Sequence, residues 1–83
     1  MEDEHLLQRI VLDSRIMVGQ PAIQGSRLTV DYILNLLAHG STEDEILAEY
    51  PSIARDDIRA CLLFATKTLK NTEFMPFPSD PVS

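Results

Sequence analysis

Residues 19–30, with the sequence GQPAIQGSRLTV, carry the pattern that decides how the chain begins to fold. Gly25 tolerates a positive φ and Pro21 fixes its own φ, so the segment is predicted to form a stiff turn. After the turn, Leu28 and Val30 alternate with polar neighbours, which is the period-two pattern of a half-buried strand. An ordered loop leading into a strand, with no further role, fits the same residue types.

Two short apolar runs precede this stretch, at residues 10–12 and 16–18. Together with residues 28–30 they predict three very short strands. Strands of this length are marginal alone, so they are predicted to pair with one another or with a second chain. Residues 6–9 are too short a segment for a structural assignment.

From residue 30 onward the apolar period becomes helical and predicts a first helix over residues 30–39, with Thr29 as its N-cap and Gly40 just past its end. Tyr32 and Leu36 lie off the main stripe, one turn apart, and are candidates for contact with a second subunit. The stripe itself consists of Val30, Ile33, Leu34 and Leu37.

A second helix is predicted over residues 43–50. Thr42 and Glu45 have the spacing of a capping box, and Pro51 disfavours helix at the residue before it. Acidic residues are expected in the first turn of a helix because of its dipole. Capping therefore explains the acidic run 43–45 better than metal binding or acid–base chemistry does.

A third helix is predicted over residues 55–70. Ala54 supplies no side-chain oxygen at the N-cap, and a hydrophobic staple between Ile53 and Ile58, together with Asp57, is predicted to offset that loss. The predicted core side consists of Ile58, Leu62, Ala65 and Leu69, with Cys61 flanking them. The opposite side carries Arg55, Arg59, Thr66, Lys67 and Lys70, with Leu63 exposed among them.

The second and third helices, joined by a proline turn, resemble a helix-turn-helix in which the third helix would be the recognition helix. Arg55, Arg59 and Lys67 are the candidate DNA contacts. Arg55 is the most informative of them because a cation at a helix start opposes the dipole. The other interpretation is an ordinary solvated face, since any amphipathic surface helix has a charged side.

Composition limits the range of functions. Eighty-three residues form one small domain, and a net charge of −6 is a poor overall signature for nucleic-acid binding. The single cysteine, the acidic start and the lack of a long apolar run predict a cytoplasmic protein outside the membrane.

No catalytic, metal-binding or cofactor-binding pattern is present in the sequence. His5 and His39 are far apart, and neither shows metal-ligand or triad spacing with Cys61. An enzyme is therefore not expected. The tail over residues 71–83 is rich in proline yet contains Phe74, Met75 and Phe77, so it is a candidate for ordering on a partner.

The chain resembles a widespread prokaryotic family, domain-of-unknown-function family four-three-three, over about residues 9–69. The residues that carry the resemblance begin in the glycine–proline stretch and continue through the helices. They are Gly19, Pro21, Ile23, Gly25, Ser26, Arg27, Leu28 and Val30, followed by Gly40, Glu45, Ile46, Leu47, Tyr50, Pro51 and Ile58.

The resemblance implies a mainly α, homeodomain-like three-helix fold preceded by a small β region. It also implies a dimeric antitoxin of a type II toxin–antitoxin pair, which binds its operator and blocks a PIN-like nuclease toxin with a terminal tail. Phe74, Met75 and Phe77 are then the toxin-binding candidates. The alternative is a dimeric protein-interaction module with no role on DNA.

Within the opening stretch, Gly19, Pro21, Gly25 and Arg27 are interpreted as structural or dimer-interface residues. Arg27 lies on the polar side of the predicted strand, next to the start of the first helix. We expect it to form an ion pair, for instance with Asp31 or with an acidic residue of a partner chain, rather than to contact DNA.

Overall fold

The computed structural model describes residues 2–12 and 19–71, and it is mainly helical with a small two-stranded sheet. The chain begins with a short helix, forms the sheet and then continues as three further helices. In chain order the elements are α1 (Glu2–Leu7), β1 (Ile10–Val11), β2 (Ala22–Ile23), α2 (Val30–Ala38), α3 (Glu43–Glu49) and α4 (Arg55–Asn71).

The sheet is an antiparallel pair of two-residue strands, with Ile10 opposite Ile23 and Val11 opposite Ala22. The strand predicted at residues 10–12 is therefore present as β1, while residues 16–18 lie outside the described residues. The strand predicted at residues 28–30 is wrong, because only an isolated bridge between Ala22 and Thr29 forms there.

The reason for that error is the N-cap of α2. The Thr29 hydroxyl accepts a hydrogen bond from the Tyr32 backbone N–H at 3.1 Å, which starts the helix at Val30. A capping threonine has extended backbone angles, so the residues just before a helix can imitate a strand in sequence.

The predicted stiff turn is present between β2 and α2. The Ile23 N–H donates to the Leu28 carbonyl at 2.9 Å, and Gly25 between them has φ of +81°. The Ser26 hydroxyl donates to the Ile23 carbonyl and accepts from the Leu28 N–H. The turn is thus held by its own polar groups and brings the start of α2 back beside the sheet.

The three long helices begin and end within one residue of the bounds that the sequence predicts. At α3 both halves of the capping box are present, with Thr42 and Glu45 each accepting from the other's backbone N–H. At α4 the Asp57 carboxylate accepts from the Ala54 N–H at 2.8 Å, which is the half of a capping box that the N3 side chain provides; Ala54 has no side-chain oxygen for the other half.

The core lies where α2, α3 and α4 meet the sheet. Its buried residues are Ile23, Val30, Ile33, Ile46, Ile53, Ile58 and Cys61. Ile53 and Ile58, the predicted staple, are both buried here. The core therefore links the glycine–proline stretch to all three long helices.

The predicted core side of α4 needs a correction. Leu62 is 44% exposed and Leu69 is 65% exposed, whereas Asp57, Ala60 and Cys61 are buried beside Ile58. The buried side of α4 includes the Asp57 carboxylate. Because the predicted side was chosen from apolar residues alone, it is rotated around the helix relative to the side that is buried.

α1, which the sequence left unassigned, packs against α4 and buries Leu6.

Candidate interaction surface

The predicted DNA contact Arg55 lies at the first position of α4 and is bound by two carboxylates of α3. Its guanidinium donates to Glu43 at 2.8 Å and to Asp44 at 2.7 Å. The hydrogen bond to Asp44, and then that to Glu43, raises the pKa of Arg55 above its ordinary value. The cation that seemed to oppose the helix dipole is thus explained by an α3–α4 contact.

The other two predicted DNA contacts lie further along α4 and are exposed. Arg59 lies 3.4 Å from the carboxylate of Asp56, one turn earlier on the same helix. Lys67 is exposed near the C-terminal end. Two cations and two carboxylates therefore lie within the first five residues of α4, and the basic character of the face is weaker than the sequence alone indicates.

A contact that sequence reasoning missed joins the start of α4 to the segment before β1. Arg9 donates to the Asp57 carboxylate at 3.0 Å and lies 3.8 Å from Asp56. Asp57 is 8% exposed, and the Arg9 guanidinium places the opposite charge beside its carboxylate. In the sequence, the one sign of this ion pair is the position of the Asp57 carboxylate on the apolar side of α4. Its partner Arg9 lies forty-eight positions away in the chain.

An open groove of about 650 Å³ lies between α2 and α3. Tyr32 and Leu36, the predicted dimer contacts, contribute the α2 side of it. Ile46 on the α3 side is 2% exposed. We call this feature the α2–α3 groove; its described lining residues are Tyr32, Leu36, Ser41, Glu45, Ile46, Ala48, Glu49 and Tyr50.

Two tyrosine rings in the lining of the α2–α3 groove contact each other. Tyr32 and Tyr50 pack edge to face with ring centroids 5.9 Å apart, and their hydroxyls are hydrogen-bonded to each other. The hydrogen bond to Tyr32 raises the pKa of Tyr50 to about 12. Tyr50 ends α3, so the pair ties that end of α3 to the first turn of α2.

The remaining structural candidates lie around the turn that precedes α2. Gly19 has φ of 80° and is exposed, and the Pro21 carbonyl accepts from the Val30 N–H at 2.9 Å. Arg27 is exposed and lines a smaller cleft with Tyr32. Within the described ranges it forms no ion pair with Asp31, so the expected pairing is not observed there.

The toxin-binding candidates Phe74, Met75 and Phe77 lie outside the described residues. Within residues 2–12 and 19–71 there is no group of three or more His, Cys, Asp or Glu residues arranged to hold a metal ion. No helix in these same ranges has the length and apolar character needed to cross a membrane.

Burial raises the pKa of the Cys61 thiol to about 12, so this thiol is protonated at neutral pH.

A family model described as a protein of unknown function, DUF433, matches residues 10–65. The chain belongs to the DUF433 family. The matched region runs from β1 into the second half of α4, so it includes the glycine–proline turn, the α2–α3 groove and the contacts of Arg55. No curated protein matches the chain.

Among solved structures, this DUF433 protein is similar to a DUF433 member from Anabaena variabilis ATCC 29413, determined at 2.00 Å resolution. The TM-score is 0.72 at 22% sequence identity, and the similarity covers 81% of this chain. The chain spans 66% of that relative's length. At this identity the likeness establishes a shared fold.

Proposed function

We propose that this DUF433 protein is a protein-binding antitoxin that neutralises a PIN-like ribonuclease. The nuclease class comes from the family resemblance, and the mode of action comes from the surface. The observation that supports protein binding is the α2–α3 groove, which is lined by apolar side chains and by the exposed carboxylates of Glu45 and Glu49, on a chain of net charge −6. Carboxylates repel phosphates, whereas they attract the basic surface that a ribonuclease uses to hold RNA.

An RNA-cleavage assay tests this proposal with the nuclease encoded by the neighbouring gene. Cleavage is expected to fall to background when about one equivalent of the full chain is added, because a tight complex occludes the RNA-binding surface. An unrelated acidic protein of similar charge is the control for non-specific inhibition. Cleavage that continues at a large excess of the chain would refute antitoxin function.

The tail over residues 72–83 is the proposed second contact with the nuclease, through Phe74, Met75 and Phe77. Calorimetric titration of the nuclease with a chain that ends at Asn71 tests this part separately. Weaker binding than that of the full chain supports the tail contact. Undiminished affinity assigns binding to the helical part alone.

Operator binding by a homeodomain-like helix-turn-helix is the second candidate function. The observation in its favour is the succession of α3, a short turn and α4, with Arg59 and Lys67 exposed on α4. Arg55 contributes less in this proposal because Glu43 and Asp44 already bind its guanidinium.

A gel-shift assay on the upstream promoter at low salt tests operator binding, with and without the nuclease. Joint replacement of Arg59 and Lys67 by Ala is expected to abolish the shift because it removes phosphate contacts. Arg55→Ala serves as the comparison and is expected to change the shift less. A wild-type chain that does not shift its own promoter is a protein-interaction module with no role on DNA.

A further inference from the structure

The α2–α3 groove combines an apolar floor with one charged rim. Leu36 and Ala48 line it, and Ile46 at its base has almost no exposed surface. Its volume of about 650 Å³ lies within the range of about 300–1,000 Å³ typical of ligand pockets. The groove therefore has room for more than one side chain of a partner.

The rim is formed by Glu45 and Glu49, which lie one turn apart on α3 and share one face. The Glu45 carboxylate accepts from the Thr42 N–H at 2.9 Å, which fixes its position at the start of the helix. The described lining residues include no lysine, arginine or histidine. An anionic occupant would therefore be repelled, and a cationic one attracted.

We propose that the α2–α3 groove binds a basic amphipathic helix of a protein partner, which under the proposed function is the nuclease. Lys and Arg carry a long aliphatic stem and a charged head, so such residues can cover an apolar floor while their heads stay at a carboxylate rim. Leu or Phe residues on the same helix face would fill the floor above Ile46. The Tyr32–Tyr50 pair in the lining offers aromatic surface to the same residues.

Two other occupants fit the charges poorly. A second copy of this chain brings another net charge of −6 to a rim that is already acidic. The chain's own residues 72–83 contain Glu73 and Asp80 and no basic side chain. Both would place like charges beside Glu45 and Glu49.

Amide NMR spectra of the full chain, titrated with a synthetic helical peptide of Leu and Lys in heptad spacing, test the groove directly. Chemical-shift changes are expected at Tyr32, Leu36 and Glu49. A peptide with the same leucines and Glu in place of Lys is expected to cause none. Changes spread over other faces, or equal changes with both peptides, would overturn the proposal.

A matched pair of charge-reversal variants separates the groove from general attraction to an acidic protein. Glu49→Lys is expected to weaken binding of the Lys peptide by at least about tenfold. Asp31→Lys changes the net charge equally on an exposed residue of α2 outside the lining, and it is expected to weaken binding much less. Equal effects of the two variants would contradict binding in the groove.

The same spectra distinguish the other occupants. Groove shifts that depend on protein concentration would assign the groove to a second copy, and shifts on removal of residues 72–83 would assign it to the tail. Either result overturns the proposal. The peptide titration and the RNA-cleavage assay are independent measurements. A groove that does not bind the peptide contradicts this proposal alone, and a nuclease that is not inhibited contradicts the proposed antitoxin function alone.

Discussion

Asp57 joins two distant parts of the molecule through one carboxylate. One oxygen accepts from the Ala54 N–H at the start of α4, and the other accepts from Arg9 at 3.0 Å. The residue thus caps the longest helix and ties it to the segment that leads into β1. The capping role could be predicted from the position of Asp57, whereas Arg9 could not be, because ion pairs between distant positions leave no local pattern.

Asp57→Ala is expected to lower the free energy of unfolding by about 2–3 kcal/mol, because it removes a cap and the partner of Arg9. Urea denaturation measures the loss. Asp56→Ala is the matched control and is expected to cost under about 1 kcal/mol, since the Asp56 side chain is 48% exposed. Similar small losses for both variants would show that the Asp57 contacts contribute little.

The tyrosine pair gives a titration that reports directly on the α2–α3 groove. Its hydrogen bond stabilises the protonated form of Tyr50 and raises that pKa from 10.0 to about 12. Tyr32→Phe removes the partner hydroxyl, so the pKa of Tyr50 is expected to fall towards its ordinary value. Deprotonation should accordingly begin at lower pH in the variant than in the wild type.

Ultraviolet absorbance of tyrosinate measures this change, since Tyr50 is then the single remaining tyrosine of two. Wild-type protein in denaturant is the control. Unfolding breaks the hydrogen bond between the tyrosines, so the absorbance change that Tyr50 gives near pH 12 should be lost. If Tyr50 in the folded Tyr32→Phe variant still titrates near that pH, the hydrogen bond is not the cause of the shift.

At the scale of the elements, the end of α2 depends on one backbone conformation. Gly40 has φ of +99°, its N–H donates to the Leu37 carbonyl, and the next N–H, of Ser41, donates to the Leu36 carbonyl. These two hydrogen bonds form a Schellman motif and turn the chain towards α3. The His39–Gly40 sequence was sufficient to predict this helix end.

Gly40→Ala is expected to cost about 1–2 kcal/mol, because an L side chain is strained at this φ. A Cβ at this position would contact nothing within 4 Å, so crowding does not contribute. Gly40→Asn is the comparison and should lose less, since Asn tolerates the left-handed region better. Thermal unfolding compares the three proteins, and equal stability of the Ala variant would contradict the strain argument.

The two elements that sequence reasoning placed wrongly have different physical causes. Residues 28–30 alternate like a strand, but the Thr29 cap starts α2 at Val30. Leu62 and Leu69 look like core, but α1 and Asp57 define the buried side of α4. In the first case a local cap outweighed the strand alternation, and in the second case tertiary packing determined which side of the helix is buried.

At the scale of the whole molecule, the net charge of −6 and the carboxylates that line the α2–α3 groove support the proposed protein partner more than a nucleic-acid partner. The sequence predicted α2, α3, α4 and the family from local patterns, since caps, breakers and apolar periods are short-range signals. It could not predict the α2–α3 groove, because Tyr32 and Tyr50 meet only when α2 and α3 pack together. Nor could it show that Glu43 and Asp44 bind Arg55. This contact lowers the positive charge of the α4 face that was predicted to contact DNA.

Calorimetric titration of the full chain with the nuclease encoded beside it, at low and at high salt, tests protein binding most directly. We expect one nuclease to bind each chain, with an affinity that weakens as salt screens the acidic surface from its basic partner. The absence of any heat of binding at low salt, together with a shift of the chain's own promoter under the same conditions, would contradict it.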